Sequence, residues 1–118
     1  MEITKAEALK AVDRERGPVC EASDRIWDQP ETAFQEFHST DVLCELLEKE
    51  GFRVERNLAG IATAFSGTYG SGKPVVGILG EFDALSGLSQ ESESLEKTAL
   101  VDGAPGHGCG HNLLGTGS

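Results

Sequence analysis

No stretch of this sequence approaches the roughly 18 consecutive apolar residues of a membrane span. The opening Met1-Glu2-Ile3-Thr4-Lys5 lacks the charged-then-apolar layout of a secretory leader. Basic residues are few, 10 Lys and Arg against 20 Asp and Glu, for a formal net charge of -10. No Lys/Arg cluster is present to release counterions, which argues against nucleic-acid binding and against an anionic membrane surface. Cysteine is sparse and odd in number: Cys20, Cys44 and Cys109 cannot all pair, so no disulfide framework is expected and a reducing, cytoplasmic setting fits. Internal repeats and low-complexity tracts are also missing. At 118 residues with 38% apolar side chains, the chain has room for one domain and excludes a multidomain enzyme.

Thr4 and Glu7 form a Thr-x-x-Glu capping box. Leu9, Val12, Arg16, Val19, Ser23 and Ile26 then recur at alternating spacings of three and four, which is one face of a helix. Gly17-Pro18 predicts a kink or a restart, and Asp28-Gln29-Pro30 an end. A second helix is expected from a Ser39 or Thr40 cap through Val42, Leu43, Leu46 and Leu47, with Gly51 as the left-handed terminator. Cys20 and Cys44 read as small core residues within these helices, and His38 as a cap or surface residue.

Two strands are expected next, one on Phe52 and Val54 and one on Ile61, Thr63 and Phe65, joined by a turn at Asn57 to Gly60. After a Gly-rich connector, Val75-Val76-Gly77-Ile78-Leu79 is apolar on both faces, the pattern of a strand buried inside a sheet. Glu81 and Asp83 follow at once, and the carboxyl end of a central strand is where α/β sheets place their chemistry. Residues 84–106 form a connection of a length that is uncommon unless functional or mobile.

The chemistry concentrates in His107-Gly108-Cys109-Gly110-His111. Alternate residues of an extended backbone project to one face, so two or three of these donors can meet a single cation. Thiolate with neutral imidazole suits zinc or a similar borderline metal. The plain alternative is a flexible glycine loop with histidines as polar filler. Asp83 and Glu81 have two readings as well: strand-end carboxylates that cap the next turn, or groups that ligate a metal or orient an imidazole ligand.

These residues carry a resemblance. Gly80-Glu81-Phe82-Asp83-Ala84-Leu85, the following Gly87-Leu88-Ser89-Gln90, and Gly106 to Gly115 resemble the metal-dependent aminoacylase/carboxypeptidase amidohydrolases. So do Trp27-Asp28-Gln29-Pro30-Glu31, Gly51-Phe52 and Gly60 to Phe65. The resemblance covers nearly the whole chain. It implies an α/β fold, the N-terminal part of a zinc-exopeptidase-like catalytic domain, with two helices followed by a mixed sheet left incomplete over residues 1–118. It further implies that Cys109 and His111 are ligands of zinc or manganese, that Asp83 belongs to the catalytic machinery as an orienting group, and that Glu81 and His107 stand around them. Many relatives in the wider family place a His where Glu81 stands, and the branch this sequence most resembles often has a Pro where Ser86 stands. Such enzymes hydrolyse an amide by activating water at the metal with a glutamate base. The base, the remaining ligands and the lid that commonly makes an oligomer are not among these residues, so the segment alone is expected to be inactive. The parent is expected to cleave N-acyl amino acids or dipeptide-like amides, as a homo-oligomer or hetero-oligomer. The alternative reading is a non-catalytic metal-binding or interaction module.

Overall fold

A computed structural model describes residues 2–118. The first element, α1 (Lys5–Asp28), starts as its capping box dictates. Thr4 Oγ1 accepts the Glu7 amide at 3.3 Å, while the Glu7 carboxylate accepts the Thr4 amide at 2.8 Å. The Thr4 hydroxyl also donates to that carboxylate, at 2.7 Å, and the two Thr4 donors, the backbone amide foremost, hold the Glu7 carboxyl below its ordinary value. The helix runs through Pro18 as one element and ends at Asp28. An interior proline costs about 3 kcal/mol. The anchor that offsets it lies in the second half, where Ala22, Ser23 and Ile26 are buried. The stripe of the first half stays in solvent, with Leu9 and Val12 exposed. Cys20 is also exposed, which corrects its reading as a core residue, whereas Cys44 is fully buried.

The second helix, α2 (Phe37–Lys49), begins earlier than a Ser39 or Thr40 cap implies, and its cap comes from elsewhere. Glu31, in the preceding loop, accepts the His38 amide at 2.9 Å on one carboxylate oxygen. Its other oxygen takes the Ser39 amide and the Ser39 hydroxyl, both at 2.7 Å. A carboxylate at this end also faces the positive pole of the helix. Replacing Glu31 with alanine is therefore expected to destabilise the fold by about 2 kcal/mol, at the upper end of capping losses. Urea denaturation measures it, and a loss below about 0.5 kcal/mol contradicts the capping role. At the other end Gly51 adopts φ +85°, the Gly51 amide bonds Glu48 O at 3.0 Å, and the Phe52 amide bonds Leu47 O at 3.0 Å, the paired bonds of a Schellman terminus.

Strand β1 (Arg53–Arg56) pairs antiparallel with β2 (Phe65–Thr68), from Arg53 opposite Thr68 to Arg56 opposite Phe65. The second strand thus starts where its predicted pattern ended. Ile61 to Ala64 instead make a turn closed by the Ala64 amide on Ile61 O, and the Thr63 carbonyl accepts the buried Thr40 hydroxyl at 2.9 Å. Tertiary hydrogen bonding overrides the alternation there. The core is small: Ala22, Ile26, Val42 and Leu43 across α1 and α2, with Leu46, Phe65 and Phe82 packed on its edge. Each large aliphatic side chain fully buried there contributes about 1.5–3 kcal/mol.

The expected interior strand at residues 75–80 does not form. Val75, Val76, Ile78 and Leu79 are each at least 75% exposed. A strand exists only through its ladder, and among the described residues no segment pairs with this one. The sheet is accordingly two-stranded and antiparallel rather than mixed, and the described parallel pairing is a single bridge between Thr32 and Ala84. Helices and strands together still make a mixed α/β fold. Among the described residues, no helix is long and apolar enough to cross a membrane.

Residues 84–106 are organised by side chains in place of regular structure. Gln90 accepts the Thr98 amide at 3.1 Å and donates to Glu96 O at 2.8 Å, and Ser89 Oγ accepts the Val101 amide at 3.1 Å. A short helix, α3 (His111–Gly117), follows and packs on α1.

Candidate metal centre

Two chain segments meet at the site, and backbone pairing sets their register. Ala84 donates to Glu31 O at 2.7 Å. Leu85 and Gly106 exchange both amide bonds at 3.0 Å, clamping the Glu81 to Leu85 segment against the glycine-rich loop. Gly115 allows α3 to close from the far side, since a Cβ there would stand 2.8 Å from Phe82 Cβ and 3.1 Å from Glu81 O. Asn112, buried one residue beyond His111, donates to Ser23 Oγ at 3.0 Å and ties the start of α3 to α1. Ser23 is, with Arg16, one of two polar members of the stripe on α1, and a small hydroxyl between Val19 and Ile26 was its signal in the sequence. Asn112 and Glu31 carried no comparable signal.

The result brings Glu81, Asp83 and His111 together, with one potential ligand atom from each lying within 4.8 Å of the others. His111 Nδ1 is 2.7 Å from Asp83 Oδ1, and its Nε2 is 3.3 Å from Glu81 Oε2. The ring is mostly shielded, Asp83 is half-buried and Glu81 is exposed. A neutral imidazole that donates Nδ1–H to Asp83 turns the lone pair of Nε2 toward the Glu81 carboxylate, which is also an acceptor. Two acceptors facing each other require a positive species between them, either a second proton on the ring or a cation. Ligand bonds of about 2.0–2.2 Å at a tetrahedral angle separate two donor atoms by roughly 3.3–3.5 Å. The spacing of Nε2 and Oε2 falls at that value, so the residues fit a divalent metal.

The other named residues lie apart from this group. Cys109 is a free, exposed thiol two residues before His111 and outside the cluster. His107 is 5% exposed and packs beside Trp27 with ring centroids 6.4 Å apart. Both of its nitrogens are shut away from solvent, and burial pushes its imidazole below its ordinary value, a shift that the Ile26 backbone only partly opposes. His38 places its amide, not its ring, in the Glu31 cap.

No family profile matches the chain. Curated relatives do. A p-aminobenzoyl-glutamate hydrolase subunit of Escherichia coli (strain K12) is 49% identical over 106 residues, 90% of this chain and 22% of that protein. The Xaa-Arg dipeptidase of Homo sapiens is 27% identical over 128 residues, 97% of this chain and 25% of the relative. The thermostable carboxypeptidase 1 of Saccharolobus solfataricus is 32% identical over 90 residues, 75% of this chain and 22% of the relative. The chain thus spans about a quarter or less of the length of these proteins. With a hydrolase, a dipeptidase and a carboxypeptidase aligned along most of its residues, the chain belongs to the aminoacylase/carboxypeptidase family of amidohydrolases and peptidases.

Proposed function

We propose that residues 1–118 form part of the catalytic domain of a metal-dependent hydrolase that cleaves the amide bond of N-acyl amino acids or dipeptide-like substrates. In this reading His111 and Cys109 hold the metal, zinc or manganese, and Asp83 orients His111. The observation that carries it is the convergence of His111 with Glu81 and Asp83, one potential ligand atom of each lying within 4.8 Å of the others. When bound, a divalent cation polarises a carbonyl oxygen and lowers the pKa of water.

The chain's own residues supply orientation and charge. Asp83 accepts Nδ1–H and so selects the tautomer and orientation of the His111 ring. Glu81 adds negative charge on the opposite side of the ring and stands as a further donor. Cys109, on the same loop as His111, offers a thiolate that a nearby cation would hold deprotonated. The names of the relatives, which specify an acyl-glutamate, a dipeptide and carboxypeptidase activity, support an amide of modest size as the substrate class.

Cobalt substitution tests the centre. The expected spectrum shows an open coordination sphere with a sulfur charge-transfer band that disappears in Cys109→Ala. A closed four-donor tetrahedral spectrum would instead favour a structural metal module. For the reaction, hydrolysis of an N-acyl amino acid by the protein carrying this chain is expected to stop on chelation and return with zinc or manganese. Turnover that persists in chelator contradicts the proposal.

A further inference from the structure

The helix that begins with His111 has little of its own to hold it. It is seven residues long, its N-terminus carries no side-chain cap, and its two large apolar residues, Leu113 and Leu114, are exposed. A helix this short does not persist on its backbone bonds alone. Its one buried residue is polar: Asn112, 6% exposed. Asn112 Nδ2 donates to Ser23 Oγ at 3.0 Å, and Oδ1 has no partner, so this is the one hydrogen bond its side chain makes among the described residues. Ser23 is itself 3% exposed and stands on α1 among the core residues Ala22 and Ile26.

The adjacent residue depends on this bond. His111 meets Asp83 at 2.7 Å and Glu81 at 3.3 Å, and both carboxylates belong to a segment held by backbone bonds to Glu31 and Gly106. The ring therefore keeps its partners only if α3 holds one rotation about its axis, since a slip of one residue turns a helix by roughly 100°. No buried apolar side chain on α3 sets that rotation, and Gly115 permits close approach without directing it. Apolar contact is non-directional in any case, whereas a hydrogen bond has a preferred line. We infer that Ser23 is a positioning residue of the metal centre: acting through Asn112, it fixes the rotation of α3 that keeps His111 Nδ1 on Asp83 and leaves Nε2 facing the place of the cation. The inference deepens the metal reading and rests on it for the cation, whereas the ring geometry is set by the chain alone.

The ring is read first, in chelator at mildly alkaline pH. In long-range ¹H–¹⁵N spectra, with His111→Ala assigning the signal among the three histidines, His111 of the unaltered protein is expected as a single Nδ1–H tautomer. Ser23→Ala is expected to mix the two tautomers and to lower zinc affinity roughly 10–100-fold, the cost of removing a supporting residue. Ser23→Thr keeps the hydroxyl and is expected to keep both properties. Ser23→Ala combined with Asn112→Leu leaves neither buried partner unpaired, so it is expected to match the unaltered protein in urea denaturation and still to show mixed tautomers. That double variant decides if Ser23→Ala alone fails to fold. A single Nδ1–H tautomer in folded Ser23→Ala or in the double variant overturns the assignment, as does a mixture in the unaltered protein or in folded Ser23→Thr. An unaltered protein that shows the single tautomer and binds no zinc sinks the metal reading, and the tautomers of the variants still decide whether Ser23 positions His111.

Discussion

In His111→Ala, zinc affinity measured by competition with a chromophoric chelator falls by more than the roughly 10–100-fold that removal of a supporting residue costs. His111 is the one side chain that touches both carboxylates of the group, Asp83 at 2.7 Å and Glu81 at 3.3 Å. Without the imidazole, a cation keeps the Cys109 thiolate and the Glu81 carboxylate and loses the nitrogen donor that suits a borderline metal. Asp83→Asn is a graded companion. Its amide is close to isosteric but can turn an NH₂ toward Nδ1 and so select the other tautomer, and the loss is expected within about 10–100-fold. Because the ligands must be deprotonated, affinity in the unaltered protein should also fall as pH drops. If His111→Ala binds zinc as tightly as the parent sequence, the ring is not a ligand and the centre is misassigned.

The parts of this fold that were readable from sequence are those whose causes are local. Thr4 and Glu7 satisfy each other across one helical turn, and Gly51 supplies the left-handed residue its terminus needs, so both helix ends follow from neighbouring residues. The start of α2 was not readable in the same way, because its capping group is Glu31, eight residues from Ser39 and outside any short capping motif. The second strand shifted because Ile61 to Ala64 are held as a turn by bonds that include one from Thr40 on another element. Residues 75–80 show the opposite limit. Their apolar pattern records what the segment suits, while a strand requires a partner that no periodicity in the segment itself provides. At the site, Glu81, Asp83 and His111 stood out by residue type and position, and their meeting depends on the Leu85–Gly106 pairing, a contact across the long loop. The placement of Cys109 outside the group follows from the course of that loop, which glycine spacing alone does not determine.

That pairing also locates the most fragile backbone position. A Cβ built on Gly106 would stand 1.9 Å from Leu88 O and 2.4 Å from Leu88 C, both main-chain atoms that no rotamer change can clear. Gly106→Ala must therefore push the 84–106 loop away from the strand-like contact at Leu85. This stretches two backbone bonds that are each 3.0 Å long and displaces the buried His107 beside them. Overpacking of this kind costs about 1–3 kcal/mol, and loss of the paired bonds adds roughly 0.5–1.5 kcal/mol for each. The expected destabilisation is about 3 kcal/mol or more in urea denaturation, large against the small apolar core that holds the fold. The same displacement separates Asp83 from His111, so zinc affinity should fall in parallel although no metal-binding atom has been altered. Gly108→Ala is the control. Its Cβ would meet Leu88 Cδ1 at 2.6 Å, the far end of a flexible side chain that can rotate aside, and its cost should be well below that of Gly106→Ala. Equal stability of the two variants would show that the Leu85–Gly106 clamp does not hold the two halves of the site together.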